Sequence, residues 1–106
     1  MRNLEPNKVL LERVNRLVEM LENPGSSVRK TAAEELGKLK HRRAVESLIR
    51  RLRDRDPAVC AAAAEALGKI KDPVAAEALA RARKSEYNEV ADAATVALER
   101  VRGLRH

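Results

Sequence analysis

Lys30, Glu34 and Lys38 stand at i, i+4 and i+8, so on a helix they share one edge and form a charged row. Such a row can select a partner by its order of signs, but it supplies no nucleophile, base or metal-ligand set. At an interval of 31 residues the row returns as Ala61, Glu65 and Lys69, and then as Asp92, Val96 and Arg100. Solubility does not require an apolar Val96 there, which points to contact with a partner. A second group of charges, Arg42, Arg43, Arg50, Arg51, Arg53 and Arg55, flanks the apolar positions between residues 42 and 54. Side chains of that kind attract phosphates or carboxylates. Glu46 stands four residues before Arg50, and Asp54 lies within reach of Arg50 or Arg51, so part of this group compensates itself.

Residues able to do covalent or metal chemistry are few. The two histidines, His41 in a turn and His106 at the terminus, have no Cys/His/Asp/Glu set at metal spacing, and each is expected to be a solvated imidazole. The single cysteine, Cys60, excludes an internal disulfide. It sits among alanines with no adjacent His or Lys to lower its pKa, and is expected to act as a small hydrophobe. Gly37 and Gly68 belong to no phosphate-binding loop and are better explained by close helix packing. No catalytic residue, metal ion or cofactor is expected.

Composition narrows the field further. The chain has 106 residues, a net charge of +6, one Tyr and neither Trp nor Phe, so its core is built from Leu, Val, Ile and Ala. The charge is uneven: residues 1–56 carry 14 Lys/Arg against 9 Asp/Glu, residues 57–106 carry 8 against 7. Without large aromatics there is no stacking platform for single-stranded bases. Phosphate contacts to a duplex would be blind to sequence. No apolar run approaches the roughly 20 residues of a membrane span, and the opening "MRNLEPNK" lacks a signal-peptide stretch. A cytoplasmic protein is expected.

The rows need helices to hold them. Apolar spacing predicts six, at about 7–22, 26–39, 42–54, 57–70, 73–84 and 88–102. The breaks are chemical. "NPGSS" at 23–27 joins a proline, a glycine and two capping hydroxyls, Ser26 and Ser27. Asp56 and Asp72 each precede a proline at a first helical position, and Gly103 marks a stop. The first helix carries the stripe Val14, Leu17, Val18 and Leu21; Val45, Leu48, Ile49 and Leu52 repeat it in the third. Val28, Ala32, Leu36 and Leu39 return as Val59, Ala63, Leu67 and Ile70, then as Val90, Ala94, Leu98 and Val101. A helix pair written three times signals a solenoid in which each pair buries its apolar side on its neighbours. The fifth helix has Ala80 and Arg83 where the third has Ile49 and Leu52, so the C-terminal pair is expected to be looser.

"VRKTAAEELGKLKHRRAVESLIRRLRD" followed by "AVCAAAAEALGKIKDPVAAEALARARK" resembles HEAT-like repeats of the phycobilisome-lyase type, and the designed consensus proteins built from them. The resemblance runs from about Val9 to Leu104. It implies an all-α, right-handed α-solenoid in a single domain, 1–106, with repeats at about 7–40, 41–71 and 72–103. The family includes lyase subunits, regulatory modules and binding scaffolds. The His-Glu pairs that bind iron in one enzymatic branch do not occur here. The family's Arg after the repeated Val is kept at Arg29 but replaced by Cys60 and Ala91. In the designed relatives, binding variation is placed at the positions matching the charged rows and the neighbouring Ser26, Ser27, Pro57, Ala58, Asn88 and Glu89.

These readings converge on a protein-interaction scaffold, a monomer or weak homo-oligomer. Its expected binding surface is Ser26, Ser27, Lys30, Glu34, Lys38, Ala58, Ala61, Glu65, Lys69, Asp92, Val96 and Arg100. The small-sided Ala58 and Ala61 are expected to leave room for a partner's anchor residue. Three alternatives stay open. One is electrostatic binding of nucleic acid or an acidic partner through Arg42, Arg43, Arg50 and Arg51. The others are an accessory subunit of a bilin lyase and a designed protein with no biological partner.

Overall fold

Capping carboxylates written in the sequence fix where two of the helical segments start. Asp56 Oδ1 accepts from the Ala58 N–H at 2.9 Å, and Asp72 Oδ1 from the Val74 N–H at 3.0 Å, each just ahead of a proline. In the computed structural model, which describes residues 6–104, the helices are α1 (Pro6–Met20), α2 (Ser26–Leu39), α3 (Val45–Arg51), α4 (Pro57–Ile70), α5 (Ala76–Ala82) and α6 (Asn88–Val101). His106 lies outside the described residues. The third and fifth helices begin later than their apolar spacing predicts, because Arg42–Ala44 and Pro73–Ala75 form 3₁₀ turns ahead of them.

Two N-terminal caps differ from expectation. Ser26 and Ser27 do not cap α2; its N-cap is Gly25, held by Asn23 Oδ1, which accepts the Gly25 N–H at 2.9 Å. His41 is half-buried and not simply solvated. Its Nδ1 accepts the Arg43 N–H at 3.1 Å, the same task Asp72 performs one repeat later. At the other ends, α2 and α4 close on left-handed lysines, Lys40 (φ 54°) and Lys71 (φ 64°), whose N–H groups return to the carbonyls of Leu36 and Leu67. Gly103 (φ 77°) stops α6 as expected, with bonds from the Gly103 and Leu104 N–H groups to the Arg100 and Glu99 carbonyls.

The pairs stack in two layers, α1, α3 and α5 over α2, α4 and α6. The slab they form measures 53 × 33 × 17 Å, its thickness being that of two helices. Among the described residues there is no strand. The chain is an all-α solenoid. Val14, Leu21, Leu36, Leu48, Val59, Leu67, Leu79 and Leu98 are fully buried between the layers, as the repeated stripes require. Val18, Val28, Leu39, Ile49, Ile70 and Val101 lie half-buried at the margins.

A second set of contacts joins α2, α4 and α6 side by side, and these are the most extensive in the fold. They are possible because the seams are made of Gly and Ala. A Cβ on Gly37 would fall 2.9 Å from Ala66 Cα, and one on Gly68 would fall 2.9 Å from Ala97 Cα. No larger side chain fits unless the helices part. The thinner apolar packing of the last pair falls on α5, where Leu79 is the one buried residue of the helix. The sixth helix is as firmly seated as the second.

Candidate binding surface

Parallel packing of α2, α4 and α6 sets the three predicted rows next to one another on one face. Lys30, Glu34 and Lys38 are exposed on α2. Ala61 is half-buried, with Glu65 and Lys69 exposed, on α4. On α6 Asp92 is exposed, Val96 is 36% exposed and Arg100 is half-buried. Ser26, Ser27 and Ala58 lie at the N-terminal ends of the same helices.

Two grooves follow the seams. Between α4 and α6 a groove of about 390 Å³ is lined by Glu65, Lys69, Asp92, Val96, Ala97 and Arg100, among others. Between α2 and α4 a smaller one of about 240 Å³ is lined by Glu34, Gly37, Lys38, Glu65, Ala66 and Lys69. The seam glycines shape both. The Lys69 stem crosses 3.6 Å from the site of a Gly37 Cβ, and the Arg100 stem 3.4 Å from that of Gly68, so each basic side chain folds over the preceding repeat's glycine. Ala58 and Ala61 line neither groove. The open space on this face lies beside Val96 instead, in the groove between α4 and α6.

Of the predicted arginine face, Arg42, Arg43 and Arg50 are exposed and Arg51 is half-buried. Arg43 is engaged by Asn15 Oδ1, and Arg50 donates to Ser47 Oγ at 3.1 Å, with no Glu46–Arg50 ion pair among the described residues. Arg51 is only 21% exposed, and bonds Asp54 Oδ2 at 3.2 Å and Glu22 at 4.0 Å. Arg42 is exposed at the far end of the helix, beside the 3₁₀ turn. A different basic grouping arises on this side: Arg50, Arg53 and Arg81 wall a groove of about 400 Å³ between α3 and α5, floored by Ile49, Leu52, Ala78 and Ala82.

One functional feature of the scaffold was not read from the sequence. Arg29, 4% exposed, holds Asp54 with two bonds, Nε to Oδ2 at 2.8 Å and Nη2 to Oδ1 at 2.9 Å. Its Nη1 also donates to the carbonyls of Asn23 (2.9 Å) and Pro24 (3.0 Å). The pair ties the loop before α2 to the loop before α4. Burial alone would raise the Asp54 pKa, but the Arg29 bond, the Asp56 N–H and the Arg51 charge outweigh it and hold the carboxyl below its usual value. The Arg29 guanidinium is held correspondingly more basic, chiefly by its bond to Asp54. A signal was present: one repeat on, Arg29 becomes Cys60 and Asp54 becomes Ser85, so both members of the pair are replaced together.

Cys60 is buried, in line with its reading as a small hydrophobe, and its thiol donates to the Asp54 carbonyl at 2.9 Å. That bond is the one-repeat translate of Arg29 to the Asn23 carbonyl. Burial first, and then the charge of Asp54, push the Cys60 thiol pKa up. Among the described residues no group of His, Cys, Asp or Glu is arranged to hold a metal ion, and no helix is long and apolar enough to cross a membrane.

A two-layer stack of helix pairs with Gly/Ala seams and a repeated charged face defines a helical-repeat protein, and the model of HEAT repeats matches residues 14–99. The chain belongs to the HEAT repeat family. Among solved structures it is similar to human deoxyhypusine hydroxylase in complex with glycerol, at 28% identity and a TM-score of 0.78. That match covers 86% of this chain but 32% of the hydroxylase chain, so this chain spans about a third of that enzyme. No curated protein sequence matches it.

Proposed function

We propose that this chain is a non-enzymatic protein-interaction scaffold: a single repeat domain, 1–106, that presents the face of α2, α4 and α6 to a protein partner. HEAT repeats generally mediate contacts between proteins. The observation that carries the assignment here is the α4–α6 groove. It places a partly exposed valine between charged side chains on a face that the core does not need. Stacked helices hold that face rigid, so little ordering is required on binding. The similarity to a hydroxylase over a third of its length supports the repeat fold and brings no chemistry to these residues. In the arginine alternative, Arg51 is half-buried against Asp54, while Arg42, Arg43 and Arg50 stay exposed.

The test is site-specific photo-crosslinking in cells. A benzophenone amino acid is placed at Ala61, on the proposed face, and separately at Arg42, on the opposite layer. Protein cross-links from position 61 that disappear in a Val96→Glu background, with none from position 42, support the assignment. Cross-links confined to position 42 refute it.

A further inference from the structure

The charges around the α4–α6 groove are sorted by position along the helices. Glu89 and Asp92 stand at the N-terminal end, Lys69 and Arg100 at the C-terminal end, and Val96, beside Glu65, lies between them. From Asp92 to Arg100 the helix rises about 12 Å. Part of this order has a local cause, since acids favour helix N-termini and bases favour C-termini. That cause does not explain Val96, and it does not explain the second feature of the site. Glu65 and Lys69 have the i, i+4 order that favours an ion pair. Yet among the described residues none of Glu65, Lys69, Glu89, Asp92 and Arg100 forms an ion pair within 4.0 Å. At the edge of α2 Glu35 does pair, with Lys38 at 3.3 Å and Arg13 of α1 at 3.8 Å. The charges lining the groove are thus unpaired with one another.

We infer that the groove takes a dipolar peptide segment of a protein partner. Its aliphatic anchor rests on Val96, Ala93 and Ala97, a basic side chain meets Glu89 and Asp92, and an acidic side chain meets Lys69 and Arg100. The inference rests on the scaffold reading above and adds the chemistry of the occupant. A span of about 12 Å sets the spacing: about four residues from base to acid in an extended segment, or about eight in a helix, with the anchor midway. A helical occupant with its C-terminal end at Glu89 would also run antiparallel to α6, which aligns opposite ends of the two helix dipoles. A uniformly acidic ligand such as a nucleic acid meets Glu65, Glu89 and Asp92 and is repelled.

The probe is a displayed library of random peptides of about a dozen residues, selected on the full chain. Selection is counter-screened against a folded Val96→Glu variant, with folding checked by circular dichroism. Expected winners carry a base and an acid on opposite sides of an aliphatic residue, with the acid N-terminal to the base where the peptide binds as a helix. Their affinity, read by fluorescence anisotropy, should fall at least roughly tenfold with Lys69→Glu plus Arg100→Glu, and recover when the peptide's acid is exchanged for lysine. Winners that carry a single sign of charge, or that fail to recover on charge exchange, overturn the dipolar occupant while leaving the scaffold face standing. If no peptide distinguishes the full chain from Val96→Glu, both readings are overturned.

Discussion

Gly68→Ala adds one methyl group to the seam between α4 and α6, and two effects of opposite sign decide its outcome. The new Cβ would lie 2.9 Å from Ala97 Cα and 3.0 Å from Ala97 Cβ. Carbon atoms attract best at about 3.5–4.0 Å, so α6 must retreat by roughly 0.5–1 Å. A backbone Cα cannot swing aside, and overpacking of this kind costs about 1–3 kcal/mol. Against it, alanine is preferred over glycine by up to about 1 kcal/mol in a helix interior. The preference is smaller here because Gly68 sits in the last turn of Pro57–Ile70. The packing term wins, by about 1 kcal/mol. In a domain of this size that lowers Tm by about 4–8 °C. Thermal unfolding followed by far-ultraviolet circular dichroism reads it directly. Gly37→Ala should behave alike, since its Cβ meets Ala66 Cα at the same 2.9 Å. Adding Ala97→Gly to Gly68→Ala should restore only part of the loss, because the new methyl would still press on the backbone of α6. A Tm that rises in Gly68→Ala would refute the claim that helix approach selects glycine.

Leu48→Ala empties a fully buried site and should cost about 2–5 kcal/mol in urea unfolding; a cost below about 1 kcal/mol would show that the layers re-close around it. The Asp54 carboxyl is held below its usual pKa, so its contribution to stability is complete above about pH 4 and is lost as pH falls through the folded value. Urea melts across an acid series should show that loss in the wild type and a flatter acid limb in Asp54→Asn; parallel limbs would contradict the assignment. Cys60, buried and raised in pKa, should react with a thiol reagent only as fast as the native structure opens, and an immediate reaction at neutral pH would place it outside the core. Amides of α5 should exchange faster than those of α3, because Leu79 alone is buried in α5 whereas Val45, Ser47 and Leu48 are buried in α3. Equal protection would count against that ordering.

The repeat, its helices and its apolar stripes were legible because each is a local pattern written more than once. Val59, Ala63 and Leu67 repeat Val28, Ala32 and Leu36, and one copy explains the other. Asp56 and Asp72 announced their caps because a carboxylate before Pro has few other uses. What was not legible depends on partners far apart in the chain or on backbone shape. Asp54 was assigned to nearby Arg50 or Arg51, but its principal partner is Arg29, 25 residues earlier, which only the folding of two loops brings close. Lys40 and Lys71 adopt a backbone conformation that glycine usually supplies, and their side chains give no sign of it. The charged rows were placed correctly as rows. The groove itself was not, since Ala61 looked open by size, while the groove beside Val96 is formed by α4 and α6 together.

Growth of the molecule is written into its seams. If residues 41–71 were copied and inserted after Lys71, the new counterpart of Ala66 would meet Gly68, and the new counterpart of Gly68 would meet Ala97, so neither junction would be novel. The chain could lengthen as a crystal does, by a layer identical to the last, with stability rising by roughly one repeat and its interface. A single edit would be needed. The copied Asp54 would arrive beside Cys60, where the present chain has the uncharged Ser85, and a buried carboxylate there would lack its guanidinium. Cys60→Arg supplies it, as Arg29 already does for Asp54. That lone cysteine is thus the position that a longer solenoid of this sequence would have to change.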